Sequence, residues 1–332
     1  MRGGAGASIM SPLRPPHVRN QLLEMKARGG DITEGRLQIP PRALAHDALP
    51  PSAFGPWAAD PAALAPAFAA SGAVPHIVID DFFSPEVAAS LAAAFPTRDE
   101  ALWHVYDNPL EQKRACSDMT QVPGPLRTAI FALSGPSMVE AVRQITGLAS
   151  LDELQADPYC HGGGLHAHGR GGKLDLHLDY ARHPLSGLER RFNLIVYLPR
   201  TPDGQPWDKS YGGALELRGA DAVDASCPSG GPPSAAVLPL FNRALLFSTT
   251  APSFHGFPAP LECPEDAERR SLALYYLTPP RTSAPRRSKA LYVAAPDEAD
   301  SPELERLRAL RSVRRLEPED LILNSAVSRD VR

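Results

Sequence analysis

His177 and Asp179 stand two apart in the stretch KLDLHLDYARHP, residues 173–184. In a strand, residues i and i+2 point to the same side, about 6.6–7 Å apart along the chain. One face would then carry Lys173, Asp175, His177 and Asp179, and the other Leu174, Leu176, Leu178 and Tyr180. Side chains of that reach can converge on one metal ion and leave one side of it open. A third ligand must come from elsewhere, and PSFHGFP (252–258) offers His255, just after the apolar run RALLFST. Two histidines and one carboxylate with open positions make the facial set that suits non-haem Fe(II). The blander readings are an HxD pair arising by chance and a turn histidine before a glycine. Zinc is the competing ion, because His161, His166, His168, His177 and His183 crowd one segment. It needs a closed tetrahedral set or three ligands plus water, and it leaves His255 unexplained.

A second chemical group sits in ERRSLALYYLT, residues 268–278. As a strand, it places Arg269, Ser271, Ala273 and Tyr275 on one face, with Arg270, Leu272, Leu274 and Tyr276 on the other. The first face suits a lined pocket, and the second suits packing. A guanidinium fork can hold a carboxylate through two parallel hydrogen bonds. Arg269 is therefore the candidate anchor for a cosubstrate carboxylate. Arg270 is the competitor, and a surface ion pair is the bland alternative.

The elements that would hold these groups are short. From about residue 155 the chain is a series of β-type runs split by Gly and Pro: KLDLHLDY, FNLIVYLP, GALELRG, AAVLPLF, RALLFST and SLALYYLT. Such a series suggests a sandwich or barrel. Upstream, HIVIDDFF (76–83) reads as a strand; Ser84 as N-cap and Pro85 at N1 open a helix to about Phe95. A further helix fits 138–147. Residues 1–73 are rich in Pro, Ala and Gly and read as an extension wrapping the core, with a short helix at QLLEMKAR (21–28). Beyond 280 a basic link leads to a helix capped by Ser301 and Pro302, with Leu304, Leu307, Leu310 and Leu316 as its apolar stripe. Four parts result: the 1–73 extension, a helical support region over 74–154, a β core over 155–280, and a linker with a C-terminal helix over 281–332.

Composition narrows the function classes. The chain has 332 residues, 43% hydrophobic and 22% charged, with a net charge of −4. That is enough apolar material for a large core, and the charge gives no reason to expect nucleic acid or a membrane surface as partner. No run approaches the roughly 20 apolar residues of a membrane span. The four cysteines lack CxxC spacing and read as free thiols in a reducing, cytoplasmic setting. The first residues lack a secretory apolar region, while their arginines and scarcity of acids leave a transit peptide open. Oligomeric state is not legible.

Together these residues resemble the Fe(II)/2-oxoglutarate-dependent oxygenases, specifically the prolyl-4-hydroxylase-like branch and a bacterial-type subgroup of it. The resemblance rests on GGGLH (162–166), HLD (177–179), RRFNLIVYLP (190–199), YGGALEL (211–217), LPLFNRALLFSTT (238–250), His255 and RRSLALYYLT (269–278). It implies an α+β, mainly β fold: a double-stranded β-helix, or jelly roll, flanked by N-terminal helices and a C-terminal helix. It further implies His177, Asp179 and His255 as catalytic Fe(II) ligands, with O2 as oxidant and ascorbate as a candidate reductant. Arg269 and Tyr197 would hold the distal carboxylate of 2-oxoglutarate, assisted by Ser271, and Asn193 would share the strand face of Tyr197.

The implied reaction is hydroxylation of an unactivated C–H bond, with succinate and CO2 as coproducts. A small molecule, amino-acid-derived or a natural-product intermediate, is the first expectation for substrate, and a peptidyl prolyl residue the second. A non-catalytic jelly-roll binding module is the alternative of another class. The joint presence of His177, Asp179, His255 and Arg269 argues against it. There is one departure: many prolyl hydroxylases carry a tyrosine three residues before the first iron histidine, where this chain has Leu174. The presence of Asp179 speaks against a halogenase. HGGGLHAHGRGGK (161–173) is a candidate lid, with His166 and Arg170 as substrate contacts. ARHPLSGLERR (181–191) is another, with His183. Trp207 is expected to pack on the core.

Overall fold

Period-two alternation in the second half of the chain becomes antiparallel strands, as the sequence predicts. The computed structural model describes residues 36–322, apart from 150–152, 203, 222–223, 225 and 251. The QLLEMKAR helix and the transit-peptide expectation lie outside the described residues. In chain order the helices are α1 (Pro41–Ala45), α2 (Ala65–Ala70), α3 (Pro85–Ala93), α4 (Gly124–Leu133), α5 (Pro136–Thr146), α6 (Pro302–Arg311) and α7 (Pro318–Ile322). The first strands are β1 (His76–Ile79), β2 (His104–Asn108), β3 (Glu111–Cys116) and β4 (Gln155–Ala156). The main series follows: β5 (Gly164–His168), β6 (Lys173–Leu178), β7 (Glu189–Tyr197), β8 (Leu215–Arg218), β9 (Ala235–Val237), β10 (Ala244–Ser248), β11 (Phe254–Phe257) and β12 (Arg269–Thr278). A two-residue strand, β13 (Leu291–Tyr292), comes back from the C-terminal arm.

The strand order β10-β7-β12-β5 makes one half of a jelly roll, and β6-β11-β8-β9 makes the other. β3 joins the halves by pairing with both β5 and β6. Helices α4 and α5 cover the outer face of the first half, packing Leu126, Ile130 and Val142 against a core that includes Leu194, Leu272 and Tyr276. Leu272 and Tyr276 come from the face of β12 that the alternation assigns to packing. Ser84 caps α3 by accepting from the Val87 amide at 3.4 Å, as its position predicts. Ser301 does the same for α6 with Leu304 at 3.3 Å. Of the α6 stripe only Leu307 is fully buried, and Leu304 and Leu316 pack beside it. Trp207 is buried, its indole N–H donating to the Gly212 carbonyl at 3.0 Å. Among the described residues, no helix is long and apolar enough to cross a membrane.

Three local features depart from the sequence reading. The 74–154 region holds more than helices: its polar segments HVYDN and EQKRAC form the β2–β3 hairpin. Neither segment shows a hydrophobic face: β3 is held by backbone pairing on both sides, and β2 lies at the edge, paired with β3 alone. The expected lid at 161–173 has strand β5 at its centre, paired with β12 and β3. There Gly164 permits close approach, since a Cβ on it would collide with the Cys116 carbonyl.

The third feature is a bulge between β6 and β11. His255 faces His177 and Phe257 faces Leu174, so two steps on β11 match three on β6. This breaks the simple alternation. Leu174 and His177 both line the central cavity. Asp175 is turned away, buried against Lys173 at 2.7 Å and Arg308 at 3.8 Å. Gly256 makes the close approach possible, because a Cβ there would lie 2.6 Å from the Leu174 carbonyl oxygen and 2.7 Å from that of Asp175. Gly256→Ala should therefore force β11 off β6 and destabilise the fold by about 1–3 kcal/mol in urea denaturation, the usual cost of overpacking. An unchanged unfolding midpoint would show that the contact is not limiting.

Candidate active site

Both halves of the jelly roll face a cavity of about 410 Å³. From the second half come His177 and His255, from the first Asn193, Arg269 and Ser271, and from the loop after β6 comes Asp179. The cross-strand register sets His255 opposite His177, with ring centroids 4.3 Å apart. One ligand atom from each of His177, Asp179 and His255 lies within 4.8 Å of the others, so the three could share one metal ion.

The tautomers are set by the backbone. His177 Nδ1 lies 2.9 Å from the Asp175 carbonyl and His255 Nδ1 lies 2.8 Å from that of Ser253. A carbonyl can only accept, so each Nδ1 carries the proton and each Nε2 keeps its lone pair for the cavity. Burial pushes His177 down to about 3, with neighbouring His255 adding to the effect, so the ring is neutral near pH 7.

Asp179 divides its carboxylate. Oδ1 is 3.0 Å from Arg190 Nη1. Oδ2 is buried without a hydrogen-bond partner and lies 3.7 Å from His255 Nε2. Burial alone would raise this carboxyl, but Arg190 and the two histidines outweigh it and hold it below the usual carboxylate range. An ionised oxygen left bare between two imidazole lone pairs fits a divalent cation.

Arg190 is the functional residue that the sequence reading missed. It is fully buried between Tyr180 and Tyr275, whose ring centroids lie 3.4 and 3.2 Å from its guanidinium carbon. Its Nη2 donates to the His161 carbonyl at 2.7 Å. Counting alternate residues back from Tyr197 and Asn193 points to Arg191. A register shift where β12 pairs with β7 turns Arg190 inward instead.

Arg269 lies deeper in the barrel and is 3% exposed. Its Nε donates to the Gly213 carbonyl at 2.9 Å and its Nη2 to Tyr197 Oη at 3.3 Å. Among the described residues no carboxylate pairs with it. Burial lowers its affinity for the proton, so an anion is what this guanidinium lacks. Arg270 points the other way and pairs with Glu268 at 2.6 Å, so the strand phase agrees with the alternation. Ser271 and Asn193 line the cavity, with Asn193 Oδ1 buried and unpartnered.

Of the suggested substrate contacts, only His166 lines the cavity, together with its neighbour on the same face, His168. Arg170 lies on the surface, donating to the Cys263 carbonyl at 3.1 Å and lying 3.6 Å from Glu265. The turn after β5 carries it outward. His183 is buried 3.3 Å from Asp157, and its Nδ1 accepts from the Leu185 and Ser186 amides, so it braces its own loop. The C-terminal arm adds contacts outside the sequence reading. Tyr292 stacks on His177 with centroids 5.0 Å apart, and Arg287 donates to the Asp179 carbonyl at 2.6 Å.

Arg190→Met should weaken binding of a divalent ion by about 10–100-fold, the usual effect of losing a ligand's outer partner. Titration with zinc, followed calorimetrically, would read this, and unchanged affinity would remove Arg190 from the site's support. Acid stability gives a second check. Burial holds both His161 and His166 down to about 3. Below a pH of about 6.5 the unfolded chain takes up these protons and the folded chain does not. Each ring should then cost the metal-free protein up to ~1.4 kcal/mol of stability per pH unit as the pH falls from about 6.5 toward 3. Denaturation across that range should show the loss, and His166→Phe should reduce its slope.

The profile of the 2OG-Fe(II) oxygenase superfamily matches residues 163–277, the segment from β5 to β12. No curated protein matches the chain. Among solved structures, a prolyl-4-hydroxylase from Pseudomonas putida is similar at 17% identity and a TM-score of 0.45, with 67% of this chain and 100% of that one covered. HygX from Streptomyces hygroscopicus, with nickel, 2-oxoglutarate and hygromycin B bound, has 14% identity and a TM-score of 0.40, covering 62% of this chain and 84% of its own. EctD from S. alaskensis, with 2-oxoglutarate and 5-hydroxyectoine, has 17% identity and a TM-score of 0.39, covering 71% and 83%. The β core between residues 163 and 277 is thus a domain of the 2OG-Fe(II) oxygenase superfamily, and the chain that carries it is an Fe(II)- and 2-oxoglutarate-dependent dioxygenase.

Proposed function

We propose that this enzyme hydroxylates an unactivated C–H bond of a small molecule, amino-acid-derived or a natural-product intermediate. In this reading His177, Asp179 and His255 hold the Fe(II), and Arg269 with Tyr197 holds the distal carboxylate of 2-oxoglutarate. The observation that carries it is the buried guanidinium of Arg269, without an anion among the described residues, on the same cavity as the bare Asp179 Oδ2. One group calls for a carboxylate and the other for a cation, and iron with a keto-diacid answers both.

When bound, Fe(II) and 2-oxoglutarate supply the oxidation of a C–H bond by dioxygen, with succinate and CO2 as coproducts. The chain's part is binding, orientation and exclusion of water. The His177 and His255 Nε2 lone pairs and one Asp179 carboxylate oxygen would hold the ion, a donor set that suits Fe(II). Arg190 fixes the rotation of the Asp179 carboxylate, so Oδ2 is the oxygen offered. Arg269 and the Tyr197 hydroxyl offer donors to the cosubstrate, and Ser271 Oγ lies on the same strand face. Leu174, Ile195 and Phe257 present apolar surface to the cavity and keep water from the reacting carbon. Leu174 stands where a tyrosine is common in prolyl hydroxylases, so Tyr197 supports the carboxylate from its own side. A small substrate is favoured by the cavity volume of about 410 Å³, within the range for small-molecule sites. Ser288, Lys289, Ala290 and Tyr292 of the C-terminal arm also wall it.

Succinate release from 2-oxoglutarate should require Fe(II), and His177→Ala or Asp179→Ala should abolish it while the circular dichroism spectrum stays native. Arg269→Ala should raise the 2-oxoglutarate concentration needed for half-maximal release by about tenfold or more, the cost of losing a charge-assisted hydrogen-bond pair. Arg270→Ala should leave that requirement alone. If Arg270→Ala raises it and Arg269→Ala does not, the cosubstrate is held on the other face of β12 and this assignment fails.

A further inference from the structure

The cavity wall outside the metal and cosubstrate region is basic. Lys113, Lys289, Arg311 and Arg315 all line it. Three of them, Lys113, Arg311 and Arg315, lie against aromatic rings. Tyr292 stacks on His177, and Arg311 lies 5.3 Å above the Tyr292 ring. Lys113 and Arg315 lie 5.0 and 5.9 Å from the Tyr106 ring centroid.

Two carboxylates oppose these cations. Glu111 lies behind the wall, 3.1 Å from Lys113 and 2.9 Å from Arg311. Burial would raise Glu111, but those two cations hold it down to about 2, so it stays charged. Asp118 lines the cavity but is already bonded, accepting from the Thr120 amide at 2.9 Å and hydroxyl at 2.7 Å and from Gln121 Nε2 at 3.0 Å. Glu111 is thus shared between two of the cations. Lys289 is half-buried and, among the described residues, has no carboxylate partner.

The floor does not cancel this excess. With Fe(II) and a keto-diacid in place, Asp179 and Arg190 offset one another, and Arg269 leaves the loaded floor one charge positive. The whole chain carries a net −4, so the basic wall is a local concentration of charge. Fields of this kind are focused by low-dielectric cavity walls and repel cationic ligands.

Resting on the function proposed above, we infer that the substrate is an anion, whose carboxylate or phosphate is held by Lys289 on the C-terminal arm together with the Lys113–Arg315 wall. The arm lies outside the 163–277 superfamily segment, so this contact to the substrate comes from beyond that segment.

The test uses the full chain saturated with nickel and 2-oxoglutarate, which blocks turnover. Two matched sets of probes are compared by ligand-observed NMR: N-acetyl amino acids against their primary amides, and N-acetyl-O-phosphoserine amide against N-acetylserine amide. The acids should bind and their neutral partners should not, and the stronger of the two sets identifies the acidic group. Lys289→Glu should weaken the acid probes by about tenfold or more, while Lys289→Arg should retain them. Rising salt should weaken binding in the wild type. The inference is overturned if amides bind as well as acids, if no acid binds, or if Lys289→Glu changes nothing while its melting temperature is unchanged. Nickel-dependent binding of 2-oxoglutarate to the wild type is measured first. Its absence would count against the proposed function itself, and its presence without acid binding would sink only the anionic substrate.

Discussion

An ionised carboxylate buried with one oxygen paired and the other bare is the constraint on which this site depends. Burying a charge costs several kcal/mol unless it is compensated. Asp179 meets half of that cost through Arg190 and leaves the other half for an ion. Arg190 has to be buried too, and two tyrosine rings enclose its faces while its edges reach Asp179 and the His161 carbonyl. The carboxylate is thereby fixed in rotation before any metal arrives. The two imidazoles are fixed in the same spirit by backbone carbonyls. A site oriented in advance by its surroundings does not spend binding energy on ordering its ligands.

The two inward-facing arginines of the barrel make an instructive pair. Both are almost completely buried. Arg190 has a carboxylate and two aromatic faces, and it serves as structure. Arg269 has a carbonyl and a phenol hydroxyl, neither of which carries a full charge. Uncompensated burial of this kind is tolerated at sites that bind something of opposite sign. The difference in partners, and not in depth, separates the residue that holds the site together from the one that awaits a ligand.

Much of this was legible in the sequence where the chain keeps a strict period of two. The faces of β12, the strand character of β7 and β10, and the capped starts of α3 and α6 follow from local pattern and composition. The pairing of His177 and Asp179 with His255 was legible through residue type, spacing and family resemblance. What escaped was bound to irregularity. A bulge in β6 puts Leu174 in the cavity and removes Asp175 from it, and a register shift beside β7 exchanges Arg191 for Arg190. No local pattern announces an extra residue in a strand. The polar hairpin of β2 and β3 escaped because β3 is held by backbone pairing on both edges and β2 by pairing with β3, with no alternating hydrophobic face to announce either. The roles of Tyr292 and Arg287 escaped because they depend on where a distant arm returns.

That return has a consequence for what closes the cavity. Arg311 reaches Glu111 across 200 residues of sequence, and Tyr292 lies against His177. Ser288, Lys289, Ala290, Tyr292 and Arg311, all from this arm, line the cavity beside residues of the barrel. The jelly roll by itself therefore leaves that side of the cavity without its wall, and the enclosure of the pocket is a long-range property of the chain.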